Sequence, residues 1–436
     1  MRKINIGLIG CGTVGTGVAK LLLENKDIII ERLGTEIVLR RVADIDIKKD
    51  RGIKFEEGVF IDDAQKVVDD PEIDIIVEMI GGKGIAKDVI LKAIKNGKQV
   101  VTANKALIAS HGKTIFKEAY AKNVDIAFEA SVGGCMPIIK ALREALVGNR
   151  IYAMTGILNG TCNYILTQIT DKESLFQEAL LEAQKKGFAE ADPTLDIEGF
   201  DTAHKLSILM SLAYGININF NDIYIEGITK ITPIDIMFAK QFGYKIKLLA
   251  ITKKRETGIE ARVHPTMIPF DNLLSSVNGS LNAITVSGDA VGDLLLYGYG
   301  AGMMPTASAV VSDIVDLSRN ILFNSKGRVP FLSYQMEYVK DISILPIDDI
   351  VTEYYFRFSA LDQPGVLSKI SGILGEHNIS IKSVNQKSRK TNEPVPIVMV
   401  THIAKESDVK KAFNVISSLN IVCDKPVLIR IEEEDK

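Results

Sequence analysis

Ile4-Asn-Ile-Gly-Leu-Ile9, followed at once by Gly10-Cys-Gly-Thr-Val-Gly15, decides how the chain begins to fold. A short apolar run closed by glycine reads as a buried strand. Val14, Val18, Leu21 and Leu22 then recur at helical spacing, so the glycines occupy a turn between a strand and a helix. In that setting Gly10-x-Gly12-x-x-Gly15 has physical content. The first glycine makes the tight turn, the second lets the backbone approach a pyrophosphate, and the third lets helix and strand pack closely. Free N–H groups at the helix N-terminus then face the phosphate charge. Gly10, Gly12, Thr13, Val14 and Gly15 are the candidate dinucleotide cradle. Asp44, with Asp46 close behind, ends the next strand, where an acid holds ribose hydroxyls and favours NAD. Arg40, Arg41, Lys48 and Lys49 nearby favour a 2′-phosphate, so NAD and NADP both stay open.

Ile37–Ala43, Ile73–Met79 and Gln99–Thr102 are further apolar strands separated by helical patterns. This predicts an α/β chain whose residues 1–130 form a Rossmann domain with a parallel sheet. From about Ser131 the pattern changes. A Gly-Gly turn leads into an apolar helix (Ile138, Ile139, Leu142, Leu146) and then a strand near Tyr152–Leu158. Helical stretches broken by Gly187 and Pro193 follow, with strands near Lys245–Thr252 and Ala283–Ser287. Residues 131–299 therefore read as a mixed α+β domain. The glycine-rich Gly298–Gly302 precedes a helix at Thr306–Asn320, and about 300–322 is expected to complete the first domain.

Residues 323–350, with Pro330 and Pro346, read as a linker. From Val351 the order is strand, helix, strand, a charged turn at Arg389–Glu393, strand, a helix from Ser407 and a strand at Pro426–Ile431. That is β-α-β-β-α-β, a ferredoxin-like unit over 351–436. Glu432 to Lys436 is expected to be a solvated tail.

Composition agrees. A chain of 436 residues suggests about three domains. With 46% hydrophobic and 25% charged residues it is neither disordered nor low-complexity. A net charge of −3 gives no basic field for nucleic acid. The apolar runs are far shorter than the ~18–20 residues that span a bilayer, so no membrane is expected. Met1 leads straight into a strand, which fits no signal peptide. Cys11, Cys135, Cys162 and Cys423 are scattered, which indicates neither a zinc site nor a disulfide framework. A reduced, cytoplasmic protein is expected.

Four more blocks carry chemistry: Thr102-Ala-Asn-Lys-Ala-Leu107, Glu129-Ala-Ser-Val-Gly-Gly134, Gly156-Ile-Leu-Asn-Gly-Thr-Cys-Asn-Tyr164, and Gly187-Phe-Ala-Glu-Ala-Asp-Pro193 through Asp201-Thr-Ala-His-Lys205. In this order they resemble the homoserine dehydrogenases, over residues 1 to about 320. The resemblance implies NAD(P)-dependent interconversion of L-homoserine and L-aspartate 4-semialdehyde, on the route to threonine and methionine. Such a reaction needs a hydride acceptor, a proton acceptor, and groups that hold an amino acid's ammonium and carboxylate. By resemblance Lys205 exchanges the proton at the side-chain oxygen, one helical turn from Asp201. Lys105, expected on a loop at the carboxyl end of a sheet strand, is the second catalytic lysine and contacts nicotinamide. Glu190 beside Gly187 receives the ammonium group, Asp196 supplies a further carboxylate, and Asp201 lies near the reacting end. Gly302 joins the cofactor site. His204 faces another side of the helix and is set aside as the base.

Glu129, Val132, Gly134 and Met136 resemble the family's monovalent-cation loop, where Na⁺ is held mainly by carbonyl oxygens, as suits a hard cation. The chain departs from the family at Cys135 and Met136, where Gly and an aliphatic residue are usual, and in Gly81-Gly-Lys-Gly-Ile-Ala86. The region after Ser131 joins subunits in the resembling enzymes, so a homo-oligomer, dimer or tetramer, is expected. Cys135 suggests an alternative, a semialdehyde dehydrogenase with a thiolate nucleophile, but no histidine accompanies it as activating base. A non-enzymatic amino-acid sensor is the other alternative, and the intact lysines and glycine loop count against it.

Leu361-Asp-Gln-Pro-Gly-Val-Leu367, with Asn378 beyond the next helix, resembles the ACT domain, a regulatory amino-acid-binding module. The resemblance implies an amino-acid effector, threonine, near Asp362, Gly365 and Asn378, bound between paired ACT units. A purely dimerising role is the alternative.

Overall fold

The structure, a computed structural model, describes residues 2–386 and 394–433. The turn expected at Arg389–Glu393 and the last three residues of the expected tail lie outside them. The chain divides into two compact units, one of Met1–Tyr152, His204–Phe220 and Leu281–Ile342, the other of Ala153–Ala203, Asn221–Ser280 and Ser343–Lys436.

In the first unit six strands, β1 (Ile4–Ile9), β2 (Ile37–Ala43), β3 (Phe60–Ile61), β4 (Ile75–Glu78), β5 (Gln99–Thr102) and β6 (Ile126–Ala127), lie in the order β3-β2-β1-β4-β5-β6. Every pairing is parallel. The order reverses between β1 and β4, which is where such sheets bind ligands, beyond the carboxyl ends of the strands. Ile4, Ile6 and Leu8 are fully buried, as a strand covered on both faces requires. Helix α1 (Thr13–Glu24) and the later helix Met303–Leu322 share one core, Val18, Ala19 and Leu22 packing with Ala307, Val310 and Ile314. The return of the chain after Gly302 thus supplies one wall of the sheet. The apolar helix after the Gly-Gly turn is a single turn, Ile138–Lys140, running into a widened π-type turn, Ala141–Ala145. Strand Leu281–Gly288 forms a hairpin with Gly292–Tyr299, a strand the sequence pattern concealed under its glycines. The expected linker is packed rather than free: Phe331 and Leu332 are buried, and Arg143 donates to the carbonyls of Val329 and Pro330 at 3.2 and 3.1 Å.

The second unit is built on a long antiparallel hairpin, Tyr244–Arg255 with Gly258–Pro269, flanked by Ala153–Gly156. The C-terminal ferredoxin-like part has strands Val351–Leu361, Ile381–Gln386, Pro394–Thr401 and Val427–Ile431, with helices Val366–Glu376 and Glu406–Ser417. Tyr354, Phe356, Phe358, Ile370, Met399 and Ile416 form its core. This part is not a separate bead. Strand Val427–Ile431 pairs in parallel with the hairpin through Thr266 and Met267, so one continuous sheet runs through both parts. The expected solvated tail begins wrongly as well. Glu432 is buried, bonded to Lys253 and to Arg262 at 2.5 and 2.8 Å. Two neighbouring cations hold its carboxyl below the usual range in spite of burial. Among the described residues no helix is long and apolar enough to cross a membrane.

Candidate active site

The first unit holds the dinucleotide cradle. Gly10 adopts φ +93°, and a Cβ at Gly15 would stand 2.0 Å from the Gly10 carbonyl oxygen, so neither position accepts a side chain. A Cβ at Gly12 would meet nothing within 4 Å. That open face, at the uncapped N-terminus of α1, fits a pyrophosphate. Asp44 is where the sequence placed it, but its carboxylate already works: it accepts from the Cys11 N–H at 2.6 Å and pairs with Arg51 at 3.1 Å. Arg51 also donates to the Cys11 carbonyl and stacks 4.9 Å over Phe60. It is the cation beside the acid, a residue the sequence reading passed over. Arg40 and Arg41 instead turn to Asp70.

Lys105 does not lie on a loop. It is the first residue of helix Lys105–Lys122, whose cap Asn104 accepts from the Leu107 N–H and donates to the Gly82 carbonyl. Glu78, fully buried at the end of β4, accepts from Thr102 Oγ1 at 2.6 Å and from the N–H groups of Ile80 and Gly81. The departure at Gly81–Ala86 is thus held by Glu78 and Asn104, and with it the start of the Lys105 helix. Lys205 lies on helix Phe200–Tyr214, one turn after Asp201, and is 7% exposed.

Glu129, Val132, Gly134 and Met136 lie in one loop, with Gly133 and Gly134 at φ +77° and +58°. The Glu129 side chain is committed to the protein, its two oxygens accepting from the N–H groups of Ile139 and Lys140 at 2.8 and 2.7 Å. Burial, and then neighbouring Asp313, push its carboxyl up to about 7 against those two donors. What the loop has to give a hard cation is its carbonyl oxygens. Among the described residues no group of three or more His, Cys, Asp and Glu could hold a metal ion.

The carboxylates lie in the second unit, and one side chain organises them. Asn159 caps helix Gly160–Lys172 with its Oδ1 on the Cys162 N–H. Its Nδ2 donates to Asp196 at 2.7 Å and to Asp201 at 2.9 Å. Thr161 Oγ1 bonds the other oxygen of Asp196 at 3.1 Å and the Phe188 carbonyl. Asp196 and Asp201 are therefore brought together; Glu190 is exposed on the segment after Gly187, whose φ is +75°. Asn159 and Thr161 were missed as site residues, although an Asn-Gly-Thr cap inside a matched block was the available signal. In the C-terminal part, Gly365 precedes an eleven-residue helix and Asn378 follows it, so about 16 Å of helix separates them.

Residues 10–129 match the family "Homoserine dehydrogenase, NAD binding domain", residues 137–315 the family "Homoserine dehydrogenase", and residues 354–420 the ACT domain. A homoserine dehydrogenase of Neisseria gonorrhoeae is 47% identical over 433 residues, 99% of each chain. The chain belongs to the homoserine dehydrogenase family. The crystal structure of the enzyme from Thiobacillus denitrificans superposes with a TM-score of 0.94 at 47% identity, covering 99% of both chains. A hyperthermophilic archaeal homoserine dehydrogenase in complex with NADPH covers 72% of this chain and 97% of its own, at 27% identity and TM-score 0.62. The reaction is thus an NAD(P)-linked oxidoreduction of homoserine, with an ACT domain appended, and the thiolate and sensor alternatives fall away.

Proposed function

We propose that Lys205 takes the hydroxyl proton of homoserine as hydride leaves the carbon that bears the hydroxyl, and returns the proton in reduction. Lys105 contacts the substrate and the nicotinamide end of the cofactor. Glu190 and Asp196 hold the ammonium group beside Gly187, and Asp201 steadies the reacting end. The observation that carries this reading is the single Asn159 amide spanning Asp196 and Asp201, which fixes two carboxylates in one place for a cationic ligand. When bound, the nucleotide accepts the hydride; everything else is positioning and proton transfer by the chain. Glu190→Gln is expected to raise the homoserine KM roughly tenfold, since a hydrogen bond to a charged group is worth about 1.5–3 kcal/mol. An unchanged KM would remove Glu190 from the site.

The cofactor is NADP or NAD, Gly10, Gly12, Thr13, Val14, Gly15, Asp44 and Gly302 contributing. The NADPH held by the archaeal relative supports NADP, as does Arg51 beside Asp44, and parallel assays with each nucleotide decide between them. Na⁺ is assigned to the carbonyls of Glu129, Val132, Gly134 and Met136; turnover equal in sodium and choline buffers would exclude it. The three-part division at 1–130, 131–299 and 351–436, with 323–350 between, is retained as a functional one, to be checked by limited proteolysis. A homo-oligomer, dimer or tetramer, is supported by the exposed Tyr297 and Tyr299 on strand Gly292–Tyr299, and a monomer mass in light scattering would refute it. A cytoplasmic place in threonine and methionine biosynthesis follows from the reaction, and a knockout strain that grows without either amino acid would contradict it.

Threonine is the proposed effector, bound near Asp362, Gly365 and Asn378 between two ACT units, since Gly365 and Asn378 flank opposite ends of one helix. Coupling of 1–3 kcal/mol corresponds to roughly 5- to 150-fold. In the full chain, threonine is expected to inhibit homoserine oxidation, and Asp362→Ala to weaken that inhibition at least roughly fivefold. Full activity at saturating threonine would defeat the assignment.

A further inference from the structure

We propose that Arg430, on the last strand of the ACT part, is a positioning residue for the substrate-binding turn Asp196–Asp201. Arg430 is 2% exposed, and its fork is fully engaged. It donates to both oxygens of Glu406, the buried first residue of helix Glu406–Ser417. It also reaches outside the ACT part, to Glu226 Oε2 at 3.1 Å and the Tyr224 hydroxyl at 3.2 Å, and its guanidinium stacks 4.8 Å over the Tyr224 ring. Tyr224 in turn donates to Glu226 at 3.0 Å.

What Arg430 grips leads directly to the substrate turn. Tyr224–Ile225 is a two-residue strand paired in parallel to Arg262 and Val263, with the Tyr224 ring beside His264 and Lys410. The residues after it bear directly on the substrate turn. A Cβ at Gly227 would stand 2.3 Å from the Ile197 carbonyl oxygen and 2.6 Å from the Glu198 Cα, so the two backbones touch. The Ile228 N–H donates to that same carbonyl at 2.9 Å, and Thr229 reaches the Glu198 carboxylate. Gly199, at φ +87°, sits against Ile225 and Val263, and its N–H donates to the Asp196 carbonyl at 3.0 Å. Asp196 and Asp201 are thus located on one side by Asn159 and on the other by a segment that Arg430 ties to the ACT strand. Without the guanidinium, Glu406 and Glu226 lose their shared cation, and the segment loses one of the contacts that hold it against the turn. An off-site shift of this kind degrades binding at the site it supports.

The proposal rests on the assignment of the ammonium group to this turn, and the experiment separates the two. In the full-length enzyme, Arg430→Gln is expected to raise the homoserine KM roughly tenfold and leave the nucleotide KM unchanged. Arg430→Lys, which keeps the cation without the fork, should fall between it and the wild type. Adding Glu226→Gln to Arg430→Gln should cost little more, since the pair acts through one contact. A folded Arg430→Gln enzyme with an unchanged homoserine KM, or with both Michaelis constants worsened alike, would overturn the proposal. If Arg430→Gln does not fold, Glu226→Gln alone carries the test, because it keeps the buried Arg430–Glu406 pair; an unchanged homoserine KM there overturns it equally. Asp196→Asn serves as reference. If it raises the homoserine KM and the Arg430 variant does not, the positioning role alone has failed; if neither does, the assignment of the turn has failed and takes this proposal with it.

Discussion

Lys205→Ala is expected to lower kcat roughly 10²- to 10⁴-fold, the worth of a general acid–base group, which is about 3–5 kcal/mol of barrier. Removing hydride from an alcohol carbon without removing the hydroxyl proton would leave a protonated aldehyde, so the amine must take the proton as the carbonyl forms. The nucleotide dissociation constant should barely change, because the cradle is the Gly10–Gly15 turn and the free N–H groups of α1, to which Lys205 contributes nothing by sequence position. Lys205→Arg sharpens the test. A guanidinium keeps the positive charge but does not give up its proton in a protein, so a charge-only role predicts substantial activity and a proton-transfer role predicts almost none. Turnover near wild type in either purified variant would refute the assignment.

The parts of the molecule that were legible in the sequence are those where one level of pattern dominates. β1 is apolar along its length because both faces are covered, and Gly10 and Gly15 are fixed by a positive φ and a backbone contact that no other residue tolerates. The ferredoxin-like order was readable because Phe356, Phe358, Ile370 and Leu374 keep strict strand and helix periods. Strand Gly258–Pro269 was hidden for the opposite reason. Glu260, Arg262 and His264 alternate as a solvated face would, and Pro265 interrupts the run. All three side chains are buried: Arg255 pairs with Glu260, Glu432 comes from the far end of the chain to pair with Arg262, and His264 bonds Arg262 and Thr266 beside it. Pro265 is tolerated between the two lateral pairings, which use Arg262–Val263 and Thr266–Met267. His264 is driven well below its usual range by burial and by Arg430 and Arg262, so it stays neutral there. Long-range pairing of this kind leaves no local trace. The same holds at the site: Asp44 was visible as a strand-end acid, but Arg51 became its partner only through the fold, and Asn159 looked like a helix cap until Asp196 and Asp201 arrived from another segment.

Asp235→Ala is expected to be the most destabilising single change in the second unit, at about 3–5 kcal/mol. Asp235 is fully buried on helix Pro233–Gln241 and spends both oxygens. Arg357, from strand Val351–Leu361, binds it as a fork, Nε to Oδ1 at 2.6 Å and Nη2 to Oδ2 at 3.0 Å. Tyr355 donates to Oδ1 at 3.2 Å, and the Thr232 N–H and hydroxyl complete a capping box on Oδ2. Burial, and then the neighbouring Asp235 carboxylate, push the Tyr355 hydroxyl far above its usual range, so it remains a donor. Alanine therefore does more than delete a favourable pair. It strands a mostly buried guanidinium without a countercharge and removes the N3 half of the capping box that Thr232 begins. The melting temperature should fall by roughly 10 °C, and an unchanged melting curve would show that the pair contributes nothing net. Asp235→Leu combined with Arg357→Met separates the two sources of the loss. Replacing a buried ion pair by apolar side chains of similar size is commonly neutral or stabilising, whereas halving it is not. Recovery of most of the lost stability in the double variant assigns the cost to the orphaned charge. Failure to recover assigns it to the hydrogen bonds by which Arg357 and Tyr355 tie the ACT strand to the helix before the long hairpin, and makes that contact, like the one at Arg430, part of what holds the catalytic sheet and the ACT sheet as one.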